Sequence, residues 1–138
     1  MTHHEPATST MTTEEARSLL EVVVVARVAF LHEGRVELLP VNVVLHDGML
    51  VLRTAPDSVL AALVERHDVV LEADHLETLD QAGWSVVVRG VSAEVRDPEI
   101  VARLRAAGRP WPWAQGERDV FLSVSIDEVT GRRVRRPH

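Results

Sequence analysis

The sequence predicts an α+β domain, mainly β, in which six or seven antiparallel strands close into a small barrel with short helices among them. Three observations lead there. Of the 138 residues, 46% are hydrophobic but only 4% aromatic, and valine leads the apolar set, as suits pleated, half-buried surfaces. Tight turn signals separate apolar runs of strand length. The helical stretches do not alternate regularly with the strands, so a parallel β–α–β sheet is not expected.

The elements follow in order. Residues 1–12 are polar and are expected to fray as a tail, leaving 13–138 as one domain. Thr12 and Glu15 stand three apart in a capping-box pattern, and Ala16, Leu19 and Leu20 recur at helical spacing, which predicts a short amphipathic helix. A β-branched run over 22–32 and a second over 36–45 are separated by a turn at 33–35. Asp47–Gly48 then gives a hairpin signal into a third strand, 49–54. These three strands read as an antiparallel meander. After Pro56, a helix is predicted to place Val59, Leu60, Leu63 and Val64 on one face. Residues 68–76 form a fourth strand, and 84–97 a long fifth, bent or bulged at Gly90. Asp97 as cap, Pro98 at the first position and Gly108 past the end bound a second helix. Residues 109–119 are a Pro/Trp loop, and 120–137 supply two more strands.

Composition narrows the function classes. The formal net charge of −6 argues against general nucleic-acid or anionic-membrane binding. No cysteine is present, which removes disulfides, zinc–cysteine sites and thiol chemistry and is compatible with a reducing cytoplasm. The longest apolar run is too short to span a bilayer and contains Arg27, and the start has no apolar core of a secretory signal. The seven histidines show no metal-ligand spacing. A soluble cytoplasmic domain with no metal, nucleic-acid or membrane partner is the expectation.

Several residues have two readings on local grounds. Arg53 ends a strand and is either a solvated surface residue or an anion ligand. Thr54 and Ser58 suit a turn and a cap as well as a phosphate. Asp57 reads as a helix cap. Trp84 is either an anchor in the core or interface, or part of a cleft. Trp111 and Trp113 either plug the barrel end or stack on a ligand. The basic tail over 132–137 reads as a charge-guarded edge strand, with Arg132 or Arg133 as an alternative source of a cation.

Three strings in order, LPVNVVLHDGMLVLRTAPDS (39–58), GWSVVVRG (83–90) and EVTGRR (128–133), resemble the pyridoxamine 5′-phosphate oxidase-like flavin-binding family. The resemblance spans roughly residues 13–134. It implies a split β-barrel and a homodimer with two FMN sites in clefts between the barrels. It also implies hydride transfer to an unidentified small molecule. By the same resemblance Pro40, Val41 and Asn42 flank the isoalloxazine ring, while Arg53, Thr54 and Ser58 meet the phosphate. Trp84 and Ser85 line the cleft, and Trp113 belongs to a loop near the ring's far end. A flavin carries its own redox chemistry, so no acid/base pair need stand out, and no catalytic side chain is assigned. Relatives commonly carry Gly where this chain has Asp57, Lys where it has Val59 and an aromatic where it has Val44. A carboxylate about 6 Å from a phosphate costs roughly 3 kcal/mol at an effective dielectric of 20. A deazaflavin, or a non-catalytic dimer without cofactor that binds a ligand or a partner, is therefore the alternative. No further cluster of basic residues for a second phosphorylated ligand is evident in the sequence.

Overall fold

The computed structural model describes residues 7–79, 81–110 and 119–135. Eight strands form one antiparallel sheet, one more than the upper expectation. They are β1 (Ala7–Thr10), β2 (Val25–His32), β3 (Arg35–His46), β4 (Met49–Thr54), β5 (Asp68–Glu77), β6 (Ala82–Glu94), β7 (Val120–Ser125) and β8 (Glu128–Arg135). Their order is β1-β8-β6-β5-β2-β3-β4-β7, and an extra β6–β7 pairing closes six of them into a barrel. Helix α1 (Thr13–Leu20) precedes β2, and α2 (Pro98–Ala107) links β6 to β7.

Period-two alternation builds the core. Ala26, Val28 and Phe30 of β2 point inward with Val41 and Val43 of β3 and Leu50 and Leu52 of β4, all buried. A second small cluster, Val51, Leu104 and Phe121, packs α2 on the outer face of β4 and β7. Both helices end as their residues dictate. Thr12 Oγ1 accepts from the Glu15 amide at 3.1 Å, and Gly108 stops α2 at φ 65°.

β6 is long because it serves two neighbours on one edge. Its first part, 82–89, pairs with β8, and 92–94 pair with β7. The switch falls at Gly90, where a Cβ would lie 1.7 Å from the Ser125 carbonyl oxygen. The bend expected at Gly90 is thus a close backbone crossing that only glycine permits.

Three expectations need correction. Residues 7–10 do not fray: they pair with β8 from Arg132 to Arg135, so their ladder bonds come from the partner strand rather than from an apolar pattern. For the same reason the basic tail is not an edge strand, since β1 covers it. The segment after Pro56 is a six-residue 3-10 helix, Val59–Val64, and Ser58, not Asp57, caps it through an Oγ accepting from the Leu60 amide at 3.1 Å. Asp57 is exposed in the preceding turn. No helix among the described residues is long and apolar enough to cross a membrane.

Candidate functional site

β3 carries the first group of predicted residues. Pro40 is exposed, Asn42 half-buried, and Val41 between them is 1% exposed. Alternation explains this: Pro40 and Asn42 face outward while Val41 faces the core, so the Val41 side chain cannot flank a ligand and only its backbone is available. β3 pairs with β4 only from Val43 onward. Pro40 therefore has a strand on one side alone, where a missing N–H is tolerated. One step beyond the Val43–Leu52 pair, Asn42 comes level with Arg53. A cavity of about 240 Å³ opens against Asn42, walled by Val22, Val24 and Val44 and bounded by Arg109. Apolar walls with an amide and a guanidinium at the rim suit a planar, mostly apolar ring with polar edges.

The phosphate end is mixed. Thr54 and Ser58 are half-buried hydroxyls near the end of β4, and both can donate to an anion even though Ser58 also accepts from Leu60. Arg53 does not have the freedom expected of it. Its Nε donates to Asp119 Oδ2 at 2.5 Å, and a second guanidinium nitrogen contacts the same oxygen. The two side chains are 12% and 5% exposed. The Arg53 guanidinium also lies 5.1 Å from the centroid of the Phe121 ring, its cross-strand partner, with Arg105 of α2 at 5.6 Å from the same ring. A buried carboxylate neutralises this arginine, so it is a structural tie between β4 and the approach to β7. Asp119 was not foreseen because nothing in the sequence pairs two residues 66 positions apart. Arg109 was missed because a residue just past a helix stop reads as ordinary loop.

Trp84 and Ser85 stand elsewhere. Trp84 is half-buried against the core and opposite His75, and Ser85 is half-buried beside it. Thr54 is paired with Val120, and Leu122 of the same strand is paired with Glu94. The Arg53 end therefore lies at the last residues of β6, about 33 Å along that strand from Trp84 at roughly 3.3 Å per residue. A single chain does not unite the two groups. Trp111 and Trp113 lie outside the described residues.

The outer face of β2 and β3 is apolar and open. Val25, Leu31, Val36 and Leu38 are 50%, 61%, 75% and 66% exposed. Beside them Arg27 bridges Glu72 at 2.8 Å and Asp74 at 3.1 Å. Partial burial, followed by a hydrogen bond that the protonated Glu72 carboxyl donates to Asp74, raises the Glu72 carboxyl above its ordinary value, and Arg27 opposes that rise. Among the described residues no group of three His, Asp or Glu could hold a metal ion.

Comparison with known proteins agrees with this architecture. An uncharacterized protein of Mycobacterium tuberculosis, Rv0080, is 34% identical over 126 residues, covering 88% of this chain and 82% of that protein. A crystal structure from Corynebacterium glutamicum, provisionally named a pyridoxamine 5′-phosphate oxidase, superposes with a TM-score of 0.78 at 28% identity, over 92% of this chain and 98% of that one. An FAD binding protein from Mycobacterium smegmatis gives a TM-score of 0.73 at 27% identity, over 91% and 98%. Residues 12–133 match the family described as pyridoxamine 5′-phosphate oxidase. With a split barrel, the outward Pro40–Asn42 strand and this match across almost the whole fold, the chain belongs to the pyridoxamine 5′-phosphate oxidase family.

Proposed function

We propose that the protein is a cytoplasmic, homodimeric flavoprotein that binds FMN in clefts between two barrels and transfers hydride to a small molecule. The observation that carries the reading is the apolar-walled cavity against Asn42, on the strand where family members are expected to place the ring. Pro40 and Asn42 hold the ring edge, and the hydroxyls of Thr54 and Ser58 take the phosphate. The flavin supplies the redox chemistry when bound; the chain positions it and excludes water. Arg53, tied to Asp119, acts through the scaffold. The exposed apolar face of β2 and β3 supports the dimer, since contiguous apolar surface of this kind marks association sites. A dimer also offers the Trp84–Ser85 end of one chain to the cleft of the other.

A second reading is favoured by one contact. Because Asp119 neutralises Arg53, the phosphate end has lost a cation, which fits a non-catalytic dimer that keeps the barrel and binds flavin weakly or not at all. Absorbance of the purified protein decides. A band near about 450 nm, released as FMN on denaturation, supports the flavoprotein, and one nearer about 420 nm after adding a deazaflavin points to that cofactor. A colourless protein that ignores added FMN, FAD and deazaflavin removes the first reading. Sedimentation at low concentration tests the dimer, and a stable monomer counts against it.

A further inference from the structure

At its first residues β6 runs past the closed barrel into an open sheet of β1, β8, β6 and β5. Four residues line up there as cross-strand partners: Ser9 opposite Arg133, Arg133 opposite Trp84, and Trp84 opposite His75. Partners in antiparallel strands project on the same side. The row thus reads hydroxyl, guanidinium, indole, imidazole across one face. It is the face that, further along β6, carries Val86 and Val88 into the core. Helix α1 covers it as far as Gly131, where a Cβ would stand 2.8 Å from Met11 Sδ and 3.2 Å from Ala16 Cβ. One pair beyond Gly131 the cover stops, and a cavity of about 390 Å³ opens over the row, with Arg135 on its rim.

The chemistry divides along the row. The rings of His75 and Trp84 lie 6.2 Å apart between centroids at an interplanar angle of 34°, a broad shelf for a planar group. At the other end Arg133 and Arg135 project on one side of β8, two residues apart, beside the Ser9 hydroxyl. Glu15 of α1 pairs with Arg133 at 3.5 Å, while Arg135 makes no ion pair among the described residues. Guanidinium forks and a hydroxyl suit phosphate oxygens. Among the described residues the carboxylate lining this cavity is Glu77, and it is engaged by His75 Nε2 at 2.6 Å. Adjacent strands stand about 4.8 Å apart, so the middle of the aromatic pair and the middle of the Ser9–Arg133 pair are roughly 10 Å apart. That is too far for a phosphate joined directly to a ring, and it matches a ring and a phosphate separated by a sugar.

We propose that this cavity binds a nucleoside phosphate of the adenosine 5′-phosphate type, with the base on Trp84 and His75 and the phosphate on Arg133, Arg135 and Ser9. Such a group reaches the protein either as a free nucleotide or as one half of a flavin dinucleotide. Only the second source rests on the flavin reading above.

The test is calorimetric titration of the full chain with AMP, ADP and adenosine at low salt. AMP and ADP bind, and adenosine binds about tenfold more weakly. Arg133→Ser with Arg135→Ser lowers AMP affinity about tenfold or more at unchanged thermal stability. Should that pair unfold, Arg135→Gln alone lowers it about threefold, because Arg135 makes no ion pair among the described residues. A wild-type protein that ignores AMP and ADP at millimolar concentration overturns the proposal, as does equal affinity for AMP and adenosine. FAD binding that exceeds FMN binding in the wild type, and equals it in the double variant, assigns the site to the dinucleotide. AMP binding with no preference for FAD, or with no flavin binding at all, assigns it to free nucleotide and leaves the site standing.

Discussion

The two ends of β6 treat arginine in opposite ways. At the Glu94 end, Arg53 is sealed under α2 by Asp119 and Phe121, with 12% of its side chain exposed. At the Trp84 end, Arg133 is half-exposed on an open sheet and, among the described residues, pairs with the exposed Glu15. The first arrangement fixes the scaffold and cancels its own charge. The second leaves charge available at a cavity. Sequence resemblance assigns the flavin phosphate to the first end, where hydroxyls rather than a free guanidinium are on offer; the uncancelled guanidinium charge stands at the second. A buried charge with its counter-charge in place has little attraction left for a third partner, whatever its residue type.

The largest expected effect breaks the sealed pair. Asp119→Ala leaves a buried guanidinium without its carboxylate and is expected to cost about 3–5 kcal/mol in urea unfolding. Arg133→Ala, by contrast, stays within about 0.5 kcal/mol of wild type. The combination Arg53→Met with Asp119→Leu recovers most of the loss, since hydrophobic groups of similar volume replace a buried pair at little net cost. If Arg53 is structural, flavin affinity in that combination stays within about threefold of wild type; a drop of a hundredfold returns Arg53 to the phosphate.

Next comes the point that separates the ends. Gly90→Ala places a methyl group into the Ser125 carbonyl and is expected to cost about 3 kcal/mol. Relief requires β6 to move away from β7, so both the barrel closure and the register at 92–94 suffer. Protease resistance and the unfolding midpoint report it, and wild-type values for both would mean that the crossing is loose.

Much of this contrast was hidden in the sequence for physical reasons. The meander from 25 to 54 is legible because each strand alternates and Asp47–Gly48 closes a hairpin, both local signals. Gly90 is legible as an interruption of an apolar run. β1 is not, because Ala-Thr-Ser-Thr has no apolar period and owes its structure to β8. The 3-10 helix is read as α because Leu60 and Leu63 suit either spacing, and only their burial in the assembled core decides. The site residues fared according to the range of their contacts. The outward placement of Pro40 and Asn42 follows from alternation, which equally turns Val41 inward. The pairing of Arg53 with Asp119, and the row from Ser9 to His75, join residues from distant parts of the chain and exist only once the sheet is assembled.

A smaller effect sharpens the view of the phosphate end. Asp57 is exposed in its turn and Val59 half-buried at the start of the 3-10 helix. Because Ser58 already caps that helix, Asp57 acts only as a solvent-screened charge, well below the roughly 3 kcal/mol that a 6 Å pair at an effective dielectric of 20 would give. Asp57→Gly with Val59→Lys is accordingly expected to raise FMN affinity about fivefold and riboflavin affinity not at all. Equal gains for both ligands would mean the phosphate lies away from this turn.

The smallest effect concerns the outer face that both ends flank. Glu72 shares Arg27 with Asp74, and partial burial raises its carboxyl above the ordinary value of 4.5. A raised acid means the folded chain holds the proton more tightly than the unfolded one. Stability therefore falls as pH rises through the window from 4.5 to the raised value, and is flat on either side of it from this group. Glu72→Gln removes that slope, so the difference between the two proteins grows with pH across the window and then levels off. Packing a second barrel on this face would bury Glu72 further, lifting its carboxyl more and widening the window. Unfolding measured against pH at two protein concentrations separates the cases: a window that widens at the higher concentration places Glu72 in the dimer interface, and one that does not leaves it on a free surface.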